Sequence, residues 1–154
     1  VRYAKYLKGL DIMALTTFSN TTQTVNTGSA VVFTTNYNSN SCTVRHSAGS
    51  SAISLHRAGW YLVDFTATAS TVATAGGTAT FHLYGNGTQI EGFEASQSAT
   101  ADTVIMNLSQ SQFMVRVSPN CCAVTDNIPL NLTIQNDGTP VTITNANVTV
   151  TKLS

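Results

Sequence analysis

Apolar and polar residues take turns along most of this chain, and the period of their alternation is two. Leu130, Leu132 and Ile134 alternate with Asn131, Thr133 and Gln135, and Ala146, Val148 and Val150 alternate with Asn147, Thr149 and Thr151. Successive side chains of a strand point to opposite faces, so each run reads as a strand with one face toward a core. From residue 29 onward such runs recur with turn signals roughly every 8–12 residues, the spacing of a sandwich or barrel. The runs are Ser29–Thr35, Cys42–Ala48, Ala52–His56, Trp60–Ala69, Thr78–Tyr84, Asp102–Leu108 paired with Phe113–Ser118, Leu130–Gln135, Val141–Thr144 and Ala146–Thr151. They predict an all-β, antiparallel domain over 29–154, preceded by a linker at 15–28 and an N-terminal arm at 1–14.

Asn86-Gly87 predicts the tightest hairpin. Both central residues of a type I′ turn need positive φ, which Asn and Gly tolerate. With these two as the turn, Gly85 faces Thr88, Tyr84 faces Gln89, Leu83 faces Ile90 and His82 faces Glu91. Phe81, Leu83 and Ile90 then share the core face, so pattern and turn agree. Val104, Met106, Leu108, Phe113, Val115 and Val117 are also expected inward.

Two stretches depart from the one-faced pattern. In Gly59–Phe65, Tyr61, Val63 and Phe65 share one face, while Trp60, Leu62 and Asp64 share the other. A half-buried strand should be polar on its second face, so Trp60 and Leu62 call for a cover. In a chain this short the expected cover is another copy of the same protein, which makes Trp60 and Leu62 candidate interface residues. The other departure is the start of the chain. Tyr3, Tyr6, Leu7 and Leu10 recur at helical spacing, with Arg2, Lys5 and Lys8 opposite them. Such a short helix is marginal in water by itself, so it is expected to dock on a partner or on its own domain.

Composition narrows the class. Only 9% of the 154 residues are charged, against roughly 25% in an average domain, and Thr, Ser and Asn carry the polarity. The net charge of zero supplies no field for nucleic acid or an anionic membrane. No run reaches the ~18–20 apolar residues of a membrane span. The basic start is not followed by the apolar stretch of a signal peptide. Cys42 and the adjacent Cys121-Cys122 cannot complete a disulfide framework and lack zinc-finger spacing. They are expected to be packed free thiols, although a single bridge from Cys42 remains open.

Gly59, Tyr61, Val63 and Phe65, with Ile53 six residues before the glycine, resemble the strand signature of the jelly-roll superfamily of complement globular heads and tumour necrosis factor. The match is closest to the bacterial and phage branch, such as the C-terminal domains of spore-surface collagen-like glycoproteins. His46 and Ser41 depart from the vertebrate signature, and no collagen-like stalk precedes the domain. The resemblance implies a jelly-roll sandwich of about ten strands that assembles as a homotrimer. It leaves the ligand open, because fold does not fix function.

Candidate chemistry is sparse. His82 and Glu91 read as an ordinary surface pair, since no motif places a nucleophile beside them. Arg45-His46 and His56-Arg57 are two basic dipeptides among only four basic residues beyond the arm. They suit either an anion site or the protection of an exposed strand edge. Neither catalytic residues nor a metal site nor a cofactor is indicated. The sequence therefore predicts a non-enzymatic, homotrimeric display protein on a virion surface, such as a phage capsid decoration or head-fibre component. Residues 1–14 would anchor it to a larger protein assembly. The alternative is a carbohydrate-binding or adhesion module of a tail tip, a spore or another extracellular surface, with a surface glycan as partner.

Overall fold

The computed structural model describes residues 14–37, 42–118 and 129–153, and all regular structure among them is β. Two sheets face each other across one apolar core. Sheet I contains β1 (Ala14–Ser19), β2 (Gln23–Val25), β4 (Thr35–Asn36), β7 (Gly59–Thr71), β10 (Met106–Val117) and β12 (Val141–Lys152). Its order is β10-β7-β12-β1-β4, with β2 also paired to β12. Sheet II contains β3 (Ser29–Ala30), β5 (Val44–His46), β6 (Ile53–Leu55), β8 (Gly77–Gly85), β9 (Thr88–Ala99) and β11 (Leu130–Asn136). Its order is β5-β6-β11-β8-β9, with β3 also on β11, and every pairing in both sheets is antiparallel. Neighbours in space are often distant in sequence, as a jelly roll requires.

The period-two pattern explains what lies between the sheets. Tyr61, Val63, Phe65, Ala67 and Ala69 of β7 are buried, as are Phe81 and Leu83 of β8, Leu132 and Ile134 of β11, and Ala146, Val148 and Val150 of β12. Aromatic rings join the layers, with Phe65 5.6 Å from Phe81 and 6.4 Å from Phe93, and Phe93 edge-on to Phe113 at 5.4 Å. Such offset and edge-to-face contacts add to the area each ring removes from water. The buried Tyr61 satisfies its hydroxyl on the Arg57 carbonyl at 2.5 Å. Burial raises the Tyr61 pKa above 10.0, with the nearby Arg57 opposing the rise.

Four sequence expectations are corrected. Residues 15–28 are not a linker, because they carry β1 and β2, and Leu15 and Val25 belong to the core. The inward residues of β1 are Leu15, Thr17 and Ser19, while Phe18 points outward, so its polarity hides its alternation. Thr17 and Ser19 tolerate burial because their hydroxyls donate to the carbonyls of Thr35 and Thr21.

Second, Asp102–Leu108 and Phe113–Ser118 do not form a hairpin with each other. Residues 106–117 are one strand, paired with β7 throughout and bulged between Gln110 and Phe113. Gln112 takes a φ of 52° there, and its N–H donates to Asp64 Oδ1 at 2.7 Å. Asp64, on the outer face of β7, thus holds the bulge. Val104 lies before the strand and is exposed.

Third, the Asn86-Gly87 hairpin keeps its turn but not its register. Gly85 faces Thr88 and Tyr84 faces Gln89, yet His82 faces Glu94 rather than Glu91. Extra residues of β9 bulge out opposite Leu83, and Gly92 in that bulge has a φ of 95°. Leu83 therefore does not pair with Ile90, which packs on the core margin. Fourth, Cys42 is a free thiol but is exposed rather than packed. Cys121 and Cys122 lie outside the described residues.

Candidate functional site

The unusual second face of β7 lies at one end of sheet I. Register places Ala14, Thr151, Leu62 and Met114 in one row across β1, β12, β7 and β10. Trp60 and Arg116 form the next row outward, and the Arg116 guanidinium sits over the indole at 5.6 Å. The Leu153 N–H donates to the Trp60 carbonyl at 2.8 Å. Trp60, Met114 and Leu153 keep 42%, 50% and 51% of their surfaces exposed, so these three and Leu62 form an apolar patch. Beyond it the same face is mostly hydroxyl and amide, with the partly covered Phe18 and the carboxylate of Asp64 among them. The Thr16 and Thr149 hydroxyls meet at 3.0 Å, and the Thr68 hydroxyl donates to Asn107 Oδ1 at 3.3 Å.

Arm residues Arg2, Tyr3, Lys5, Tyr6, Leu7, Lys8 and Leu10 lie outside the described residues. Ala14, where the described chain begins, is opposite Thr151 and therefore in the same row as Leu62 and Met114.

Three of the four residues of the two basic dipeptides meet around one basin, and Arg57 stands apart. His46 is buried, with Nδ1 2.6 Å from Asn36 Oδ1 and 3.3 Å from the Thr17 hydroxyl. Its Nε2 faces the Ser50 carbonyl at 2.8 Å, and its ring meets Phe33 edge-on at 6.3 Å. It acts as a core strut. Arg57 is exposed and gives its carbonyl to Tyr61. Arg45 and His56 line a common basin with Ser47, Ser50, Ala52 and Ser54, and the buried His46 forms part of its floor.

A further cluster on sheet II was not legible in the sequence. Asp137, in the β11–β12 turn, accepts from Tyr84 Oη at 2.7 Å and from Gln135 Nε2 at 2.8 Å, and pairs with His82 Nδ1 at 2.7 Å. His82 Nε2 faces Glu94 Oε2 at 3.3 Å. Burial alone would lower the His82 pKa, but the hydrogen bonds to Asp137 and Glu94 prevail and raise it above 6.5. Burial would likewise raise Asp137, but the bonds from His82, Tyr84 and Gln135 hold it below 3.8. The bond to Asp137 keeps the Tyr84 phenol above 10.0. No hydroxyl nucleophile bonds to His82 among the described residues, and the nearby Thr80 and Ser96 pair with each other at 3.1 Å. The cluster is a clamp tying β8, β9 and the turn together, not a triad. Gly92 was its one sequence signal, since a glycine inside a strand often marks a bulge.

No protein-family model and no curated protein sequence matches this chain. Solved structures do. The Eiger TNF of S. frugiperda superposes with a TM-score of 0.66 at 11% identity, covering 93% of each chain. The PRD1 vertex protein P5 gives 0.55 at 17% identity, covering 93% of this chain and 99% of that one. Murine APRIL at pH 5.0 gives 0.54 at 9% identity, covering 91% and 99%. At these identities the likeness is one of fold. Strand order, the Gly59–Phe65 signature on β7 and these superpositions agree that the chain folds as a tumour necrosis factor-like jelly roll.

Proposed function

We infer that this chain is a non-enzymatic structural protein of a virion surface, assembled as a homotrimer through the Trp60 end of sheet I and anchored by residues 1–14. One observation carries the reading: Trp60, Leu62, Met114 and Leu153 gather at one end of an outer face that is elsewhere mostly hydroxyl and amide. A clustered apolar patch on a sparsely charged surface asks for a protein cover. An aromatic with a cation over its ring is a common interface anchor. The family resemblance supports a count of three, and the fold shared with a vertex protein supports the virion setting. Ala14 opens β1 in the register row of Leu62, which supports placing anchorage and assembly at one end of the domain.

Sedimentation equilibrium tests the reading. The full chain should sediment as three copies at micromolar concentration, and a monomer would overturn the reading. Removing residues 1–13 should leave a soluble oligomer that no longer attaches to its particle. Ala14 must stay, since it pairs with Thr151.

A further inference from the structure

The open edge of sheet II carries a built polar basin of about 350 Å3. Arg45 of β5 and Ser54 of β6 are register partners, so both side chains rise from the same outer face. The Ser54 hydroxyl donates to Asn131 Oδ1 at 2.6 Å, which leaves its oxygen as an acceptor toward the basin. The Ser50 hydroxyl accepts from the Ala52 N–H at 3.1 Å, which leaves its hydrogen to donate. His46, buried beneath, holds the Ser50 carbonyl through Nε2, so the 47–50 turn is pinned from the core. Donors and acceptors held in place this way cost little ordering when a ligand arrives.

The lining also says what does not fit. Only Ala52 is apolar and no carboxylate faces the basin, so neither a hydrophobic side chain nor a cation has a partner there. No ion pair engages Arg45 among the described residues. A guanidinium binds a carboxylate or an oxyanion through two parallel N–H bonds. The volume lies at the small end of the usual ligand range of roughly 300–1,000 Å3, enough for one sugar unit. The geometry points to an acidic saccharide as the ligand, with its anionic group on Arg45 and its ring hydroxyls on Ser50, Ser54 and His56. The basin lies on the sheet opposite Trp60, so the inference does not rest on trimerisation.

Amide chemical shifts of the full chain, followed during titration, test this directly. The probes are oligogalacturonate, sialyllactose and a sulfated oligosaccharide, with maltotriose and inorganic phosphate as controls. At least one acidic sugar should move the amides of residues 45–56 saturably, and bind at least tenfold more tightly than either control. Arg45→Gln should weaken that binding at least tenfold with no change in melting temperature. Ser54→Ala should weaken it several-fold. No acidic sugar moving these amides, maltotriose binding equally well, or Arg45→Gln binding as the parent does would each overturn the proposal. Phosphate binding as tightly as the sugars would also overturn it, leaving a simple anion site.

Discussion

The two outer faces of the sandwich draw on the same hydroxyl- and amide-rich vocabulary and use it differently. On sheet II, the polar side chains pair with one another across strands: Thr78 with Ser98, Thr80 with Ser96, Ser54 with Asn131, and His82 with both Asp137 and Glu94. That face is content in water and holds its chemistry in local clusters. Sheet I pairs its hydroxyls in the same manner along most of its length. At one end it abandons the pattern for Trp60, Leu62, Met114 and Leu153. A polar face satisfied laterally needs no protein cover, whereas a clustered apolar end is the usual place for one.

The sharpest test of that contrast uses two aromatics of one strand. Phe65 faces the core and Trp60 faces out, so their truncations should act on different equilibria. Phe65→Ala should lower the unfolding free energy by about 3–5 kcal/mol in a denaturant titration. Trp60→Ala should weaken association by about 2 kcal/mol or more while the isolated domain keeps its melting curve. Equal loss of folding stability from both would erase the distinction between the faces.

The clamp on sheet II predicts a pH window. The raised His82 pKa contributes stability that is fully present below 6.5 and lost as pH climbs through the folded value. The lowered Asp137 pKa contributes stability that is present above 3.8 and lost as pH falls through the folded value. Together they favour the fold most between those two values. A melting-temperature profile should fall on both sides, and His82→Gln should flatten the alkaline limb. Trimerisation through sheet I should not follow this profile. The smallest effect concerns the β9 bulge. Gly92→Ala forces an L side chain to a φ of 95° and sets its Cβ 3.4 Å from the Phe113 ring. It should cost about 1–2 kcal/mol by denaturant titration.

Much of the architecture was legible because burial and period two coincide in β7, β8, β11 and β12. The rest was hidden for definable reasons. Strand β1 buries Thr17 and Ser19 and leaves Phe18 half-buried on the outer face, which reverses the usual reading of polarity. Bulges at Gln110–Phe113 and near Gly92 shift register without altering composition. The second bulge is why the partner of His82 was misassigned. Asp137 approaches His82 across strands 55 residues apart in sequence, a distance no local pattern spans. Trp60 and Leu62 stood out because a strand with two apolar faces is a local anomaly. Arg45 and His56 stood out through scarcity of charge, which could not reveal that His46 turns inward and Arg57 away.

The pairing of β1 with β12 has a mechanical side. Load passed into the domain at Ala14 runs along the axis of β1, whose six residue pairs with β12 lie side by side from Ala14–Thr151 to Ser19–Ala146. When the rest of the domain is held from the far end, that pull shears the ladder, so its hydrogen bonds resist together instead of parting one by one. A pull across the ladder, perpendicular to β1, would instead part the same bonds one by one.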